Sequence, residues 1–122
     1  MAQRFIHIAV VYVVIGATLG LYMGISGRFT LAPVHAHLAL LGWVSLALAG
    51  LLYHLYPAAA RTRLAAAHFW LHNAGLPVFM VGLALVLTGS EGLIPAVAAG
   101  ASLVLAGLVC FAANVLRNVR AS

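Results

Sequence analysis

Charged side chains are almost absent from this sequence, which has six arginines, one glutamate, no lysine and no aspartate among 122 residues. An ordinary soluble domain has about 25% charged residues, whereas this chain has 6%. Because so few charges cannot cover a water-facing surface, we expect most of the surface to contact lipid. The length suits one compact unit, so we treat residues 1–122 as a single transmembrane domain.

The scarcity of other residue types excludes further classes of protein. The only cysteine, Cys110, allows no intrachain disulfide and no paired-cysteine redox motif. The net charge of +5 does not indicate nucleic acid binding, because the arginines lie at the ends of apolar runs, where they orient membrane helices. The first apolar run is too long for the core of a signal peptide, so we expect it to be retained as a helix.

Four apolar runs are long enough to cross a membrane, which takes about 20 residues in a helix. These runs cover about residues 5–25, 33–56, 64–88 and 94–116, separated by glycine, proline and serine. Every arginine except Arg28 falls on one side of the predicted membrane. The positive-inside rule therefore predicts an all-α bundle of four transmembrane helices with both termini in the cytoplasm. We place it in the bacterial inner membrane as a multi-pass protein.

Glycines recur at four-residue spacing in the first run, at Gly16, Gly20 and Gly24. Small residues at this interval allow two helix backbones to approach closely in lipid. The spacing therefore predicts tight packing of the first helix against a neighbour.

Histidine, in contrast, is plentiful for so apolar a chain. The six are His7, His35, His37, His54, His68 and His72. A polar side chain inside a membrane is costly and needs a partner. For His7 and His54, which lie near predicted cytoplasmic helix ends, we favour an interfacial or hydrogen-bonded role.

His35 and His37 are two positions apart in the sequence, which corresponds to about 200° of rotation around a helix. Their side chains therefore point to nearly opposite faces, and one helix cannot aim both at one small metal ion. The pair is suited to bridging two neighbouring cofactors or two neighbouring subunits. On the same helix, Gly42 and Gly50 would allow a flat group to lie close.

His68 and His72 are four residues apart, so they share one face of the third helix. Such a pair can chelate a metal ion, which makes them a candidate second metal site. The only acidic residue, Glu91, is predicted at the opposite membrane surface, which disfavours metalloproteases and di-metal carboxylate enzymes. Because Phe69 and Trp70 are also typical of an interfacial aromatic belt, a structural role remains open.

Two stretches resemble helices of a known family. The stretch Val34–Leu38, followed by Gly42 and then Tyr53–Pro57, resembles helix X of the catalytic subunit of heme-copper oxidases. The third predicted helix, with Ala67-His68-Phe69-Trp70, is similar to helix XI of that subunit. The Val-His start also resembles helix II of the nitric oxide reductase and cbb3-type branches. The resemblance covers about residues 33–85, and the flanking helices only by hydropathy.

The resemblance implies an architecture and a cofactor. The family subunit has twelve helices in three pseudosymmetric units of four, so this chain corresponds to one unit, and a homotrimer would rebuild the whole arrangement. By position, His35 and His37 correspond to axial ligands of heme iron, which implies heme b as the cofactor. In a trimer, His35 of one chain would face His37 of the next. Arg28, in the external loop, would neutralise heme propionates.

Departures from the family limit the function that the resemblance implies. The chain has no His-His dipeptide and lacks the acidic residues of the family's proton channels, so neither a three-histidine copper site nor proton pumping is implied. The expected function is electron transfer or binding of a diatomic gas such as O2 or NO, with an unidentified redox partner. The sequence is more typical of an electron carrier than of an oxygen reductase.

Two other functions remain open. The chain would alternatively serve as a non-catalytic accessory or assembly protein that binds copper or heme for a respiratory oxidase. A small channel or metal transporter, with histidines lining a trimer pore, is the weakest interpretation because pore acids are absent.

Overall fold

The computed structural model describes residues 1–120, which are almost entirely helical. Four helices are long and apolar enough to span a membrane, which confirms the predicted number of spans. They are α1 (Ala2–Ser26), α2 (Ala32–Leu55), α3 (Arg63–Leu87) and α4 (Ile94–Asn118). A short helix, Pro57–Ala60, connects α2 to α3, and a 3₁₀ turn, Glu91–Leu93, precedes α4.

The helix ends have local causes. The chain leaves α1 through Gly27, whose φ of 68° is left-handed and suits glycine. Pro33 lies in the first turn of α2. Proline has no backbone N–H, and an N–H at this position has no acceptor within the helix, so no hydrogen bond is lost. The hydroxyl of Thr62 caps α3 by accepting a 3.1 Å hydrogen bond from the Ala65 N–H.

The four helices form two hairpins, with α1 packed along α2 and α3 packed along α4. One apolar cluster joins both hairpins at the end of the bundle where Ala2 and Val119 pack, here called the terminal end. A second cluster, nearer the opposite end, includes Val34 and Leu38 of α2 and Leu76 of α3. Beside it, residues of α1, α2 and α3 line an apolar groove of about 740 Å³.

Helix α2 is not regular, because Leu38–Val44 form a π-helical segment. At its end the Ser45 N–H donates to the Leu40 carbonyl, five residues back, rather than to the Leu41 carbonyl, four residues back. The Leu41 carbonyl thus loses its α-helical donor. The hydropathy pattern predicts one continuous helix here and gives no sign of the wider turn.

Glycines bring α3 and α4 into backbone contact. A Cβ atom on Gly100 would lie 2.5 Å from the backbone nitrogen of Phe79, and one on Gly75 would lie 2.7 Å from the Gly100 carbonyl oxygen. A side chain of any size at either position would push the helices apart.

The three regularly spaced glycines of α1 do not all contact a neighbouring helix, although their spacing predicts that they do. Gly16 and Gly20 contact α2, where a Cβ would meet Leu38 and His35 respectively. A Cβ on Gly24 would meet nothing within 4 Å. The predicted close packing therefore involves two of the three glycines.

We expect Gly100→Ala to lower the free energy of unfolding by about 1–3 kcal/mol, because the added methyl overlaps the backbone of α3. Thermal unfolding in mild detergent, followed by circular dichroism, measures the change. Gly24→Ala is the matched control, since its methyl enters open space, and it should cause no loss. Equal stability of the two variants would contradict the backbone contact between α3 and α4.

Candidate functional site

The histidines occupy three different environments. His7 and His54 are exposed near the terminal end. The side-chain amide nitrogen of Gln3 lies 3.5 Å from Nε2 of His7, one turn away on the same helix. His7 and His54 therefore lie outside the packed core of the bundle.

His35 lies in the first turns of α2 and its ring contacts α1. The ring nitrogen Nδ1 is 2.8 Å from the carbonyl oxygen of Gly16. Because a carbonyl only accepts hydrogen bonds, Nδ1 carries the proton, and Nε2 of the neutral ring keeps its lone pair. Gly20 makes room for this ring, since a Cβ there would lie 2.7 Å from Cε1 of His35.

His37 leaves the other side of α2 and packs against Phe79 of α3, with ring centroids 5.0 Å apart and planes at 67°. Its Nδ1 donates to the Pro33 carbonyl oxygen over 2.6 Å, so its Nε2 also keeps a lone pair. His35 and His37 are both half-buried and contact different helices. Neither Nε2 atom has a hydrogen-bond partner within residues 1–120.

The glycines of α2 do not leave space for a flat group. The ring of Tyr12 fills the space at Gly42, where a Cβ would lie 2.7 Å from Cγ of Tyr12. The side chain of Ile6 fills the space at Gly50, 2.6 Å from a Cβ there. The expectation that Gly42 and Gly50 admit a flat ligand is therefore wrong, because α1 occupies that face.

Arg28 lies in the loop between α1 and α2, at the same end of the bundle as His35 and His37. It is exposed and lines a small pocket of about 180 Å³ together with Tyr22 and Thr88. The guanidinium group is thus available to an anionic group that approaches this end of the bundle.

His68 and His72 are the most enclosed histidines, with exposed fractions of 1% and 0%. The ring of His68 lies between two aromatic rings, with centroids 4.9 Å from both Phe5 and Phe111. Nε2 of His72 donates to the Leu41 carbonyl over 2.9 Å. That carbonyl is the one released by the π-helical segment, so a side chain of α3 replaces the missing backbone donor of α2.

A chain of buried polar groups extends from His68 to the terminal end. The Tyr53 hydroxyl lies 3.1 Å from Nδ1 of His68, and Nδ2 of Asn114 lies 3.5 Å from the same hydroxyl. Asn114 also donates to the Ala59 carbonyl over 3.0 Å and accepts from Nδ2 of Asn118 over 2.8 Å. This series of hydrogen bonds therefore connects α2, α3 and α4.

Sequence reasoning missed Asn114 and Asn118, and it noted Tyr53 only for the family resemblance. The available signal was polar amides within an apolar segment, since such groups need partners in a membrane.

The predicted second metal site consists of two histidines only. The ring centroids of His68 and His72 are 5.4 Å apart. In the part of the chain that the structure describes, Nε2 of His68 and Nδ1 of His72 are buried without a partner. Within residues 1–120, no group of three or more His, Cys, Asp or Glu side chains comes together that could hold a metal ion.

No family model, curated protein or solved structure matches this chain.

We expect Tyr53→Phe to destabilise the bundle by about 1–2 kcal/mol, because it removes a buried hydrogen-bonding group that links α2 to α3 and α4. Reversible unfolding in detergent mixtures measures the difference from the unmodified chain. Tyr22→Phe is the control, since Tyr22 is 54% exposed. A Tyr53→Phe variant as stable as Tyr22→Phe would show that the buried polar chain adds nothing to stability.

Proposed function

We propose that this protein binds heme b in the membrane, between copies of the chain, and functions in electron transfer or in binding a diatomic gas. His35 of one copy and His37 of the next would be the axial ligands. The observation that carries the proposal is that both rings donate Nδ1–H to a backbone carbonyl and present Nε2 on different sides of one helix.

The tautomers of His35 and His37 suit iron ligation. A histidine that binds a metal through one neutral nitrogen usually donates its other N–H to a carbonyl or carboxylate, which fixes the ring and raises its basicity. Both residues have this arrangement, with the carbonyls of Gly16 and Pro33 as acceptors. The remaining nitrogen of each ring is then free to coordinate iron.

A second chain is needed because the two histidines contact different neighbours. The ring of His35 lies against α1 and the ring of His37 against α3, so one heme cannot receive both from a single chain. In the proposed closed ring of identical chains, His35 of each would lie beside His37 of the next, and symmetry would repeat this pairing at every interface. Three copies would give the twelve helices of the oxidase subunit that the sequence resembles.

Charge placement also supports the proposal. Arg28 lies at the same end of the bundle as the two histidines, where it would pair with heme propionates. The other arginines lie near the terminal end, which the positive-inside rule assigns to the cytoplasm of a bacterial cell. When both axial positions are histidine, bound heme supplies one-electron transfer, and displacement of one histidine opens a position for O2 or NO.

Absorption spectra of the protein in mild detergent test the proposal. We expect a Soret band and sharp reduced α and β bands, which His35→Ala and His37→Ala each abolish because each removes an axial ligand. His7→Ala and His54→Ala are matched controls that should keep the spectrum, since both residues are exposed and far from the proposed ligands.

Co-expression of the two ligand variants separates a shared site from a site within one chain. Random mixing of equal amounts of His35→Ala and His37→Ala in a closed ring leaves about one quarter of the interfaces with both histidines intact. About a quarter of the original absorbance should therefore return. No recovery would contradict the shared site, and an unmodified protein without colour would overturn heme binding and favour the accessory role.

Gly20 offers an independent test that leaves both ligands in place. We expect Gly20→Val to lower heme affinity by about 10-fold or more, because the added side chain displaces the ring of His35, and changes in ligand support have effects of this size. Heme titration of the purified protein measures the affinity. Gly24→Val, one turn along α1 and facing open space, should bind heme like the unmodified chain. Equal heme affinities of the Gly20→Val and Gly24→Val variants would show that His35 is not part of the heme site.

A further inference from the structure

Among residues 1–120, two buried ring nitrogens, Nε2 of His68 and Nδ1 of His72, have no hydrogen-bond partner. The residues lie one helical turn apart on the same face of α3, about 8 and 14 Å along the helix from Arg63. Their rings are T-shaped to each other, with centroids 5.4 Å apart, and form no direct hydrogen bond. Because a buried polar atom without a partner is costly, these two nitrogens favour an occupant that bonds to both.

The proton positions on His72 follow from its partner. The Leu41 carbonyl accepts a hydrogen bond from Nε2, so Nε2 carries the proton. The neutral ring then has a lone pair on Nδ1. His72 therefore offers the occupant an acceptor.

The proton positions on His68 follow from Tyr53 and Asn114. The Ala59 carbonyl only accepts, so the atom of Asn114 that faces it is the amide nitrogen. The same nitrogen lies 3.5 Å from the Tyr53 hydroxyl oxygen, to which it donates its second hydrogen. The Tyr53 hydroxyl then donates its own proton to Nδ1 of His68 over 3.1 Å. The proton of the neutral His68 ring is consequently on Nε2, which offers the occupant a donor.

We propose that one water molecule binds between His68 and His72, accepting from Nε2–H of the first and donating to Nδ1 of the second. Buried waters occur about once per 27 residues and typically make two to four hydrogen bonds to polar groups that lack other partners. This water completes a hydrogen-bonded chain from Asn118, at the terminal end, to the Leu41 carbonyl inside α2. Tyr53, His68, the water and His72 are thereby linked in one continuous series of hydrogen bonds.

Water suits this pair of nitrogens better than a metal ion does. A metal needs a lone pair on both nitrogens, whereas the arrangement around Tyr53 leaves a proton on Nε2 of His68. Within the described residues, no third His, Cys, Asp or Glu side chain joins this pair. A cation held by two neutral ligands would remain uncompensated in the membrane, whereas water brings no charge.

Magic-angle-spinning NMR of the full-length protein in lipid bilayers, labelled with ¹⁵N in its histidine rings and with any heme kept reduced, tests this inference. Loss of signals in His68→Gln and His72→Gln assigns the two rings. We expect both rings to be neutral and protonated at Nε2, with a transfer peak between water protons and Hε2 of His68. Protonation of His68 at Nδ1, or absence of the water peak, would overturn the proposal.

A titration with Cu(I) under anaerobic conditions tests the competing occupant on the same sample. We expect the ring signals of His68 and His72 to stay unchanged at one equivalent of Cu(I). Stoichiometric shifts of both rings, lost in His68→Gln, would overturn the water assignment and establish a copper site. These outcomes are independent of heme binding, which depends on His35 and His37.

A pair of variants tests the role of Tyr53 in setting the tautomer of His68. Tyr53→Phe removes the donor to Nδ1, so a population of His68 protonated at Nδ1 should appear. Tyr22→Phe is the control, because it removes the same hydroxyl from a residue that is 54% exposed and outside this series of hydrogen bonds; it should leave the His68 signals unchanged. Identical His68 signals in the two variants would contradict the proposed proton directions.

Discussion

A polar atom inside a bilayer has no water to bond, so it must find a partner in the protein or in something the protein binds. This constraint determines how the two hairpins are joined. The π-helical segment of α2 releases the Leu41 carbonyl, and His72 of α3 bonds it. Since this bond lies a few residues beyond His37, it fixes α2 close to the two proposed ligands. The wider turn also sets the rotation of the first turns of α2 relative to the rest of that helix.

The same constraint distinguishes two kinds of histidine. His68 is enclosed, with two aromatic rings close to its own, so a macrocycle cannot reach its nitrogens. His35 and His37 are half-buried and each is bonded through one nitrogen only. Their remaining nitrogens would be exposed to lipid or headgroups in an isolated chain, at a cost that a ligand removes. Burial therefore separates the pair suited to a large flat cofactor from the pair suited to water.

Features that depend on local sequence could be predicted, and features that depend on distant contacts could not. The number of spans follows from apolar run lengths, and the divergence of His35 from His37 follows from helical rotation. The π-helical segment is accompanied by a hydrogen bond between Leu41 and His72, which are 31 residues apart, and no local pattern marks it. Likewise, Gly42 has no side chain of its own, but its space is taken by Tyr12 from another helix. Only the folded chain decides whether such a gap is open.

Because all subunits of the proposed assembly are the same chain, the kind of chemistry that the assembly would perform is restricted. In a closed ring of identical chains, each interface has the same His35 and the same His37, so every heme has the same surroundings. An oxygen reductase of the family that the sequence resembles needs two different hemes, one bound by two histidines and one with an open position. Three copies of one interface supply no such difference, and the chain lacks the His-His dipeptide of the family's copper site. Equivalent bis-histidine hemes exchange electrons without a built-in direction, which suits a carrier rather than a reductase.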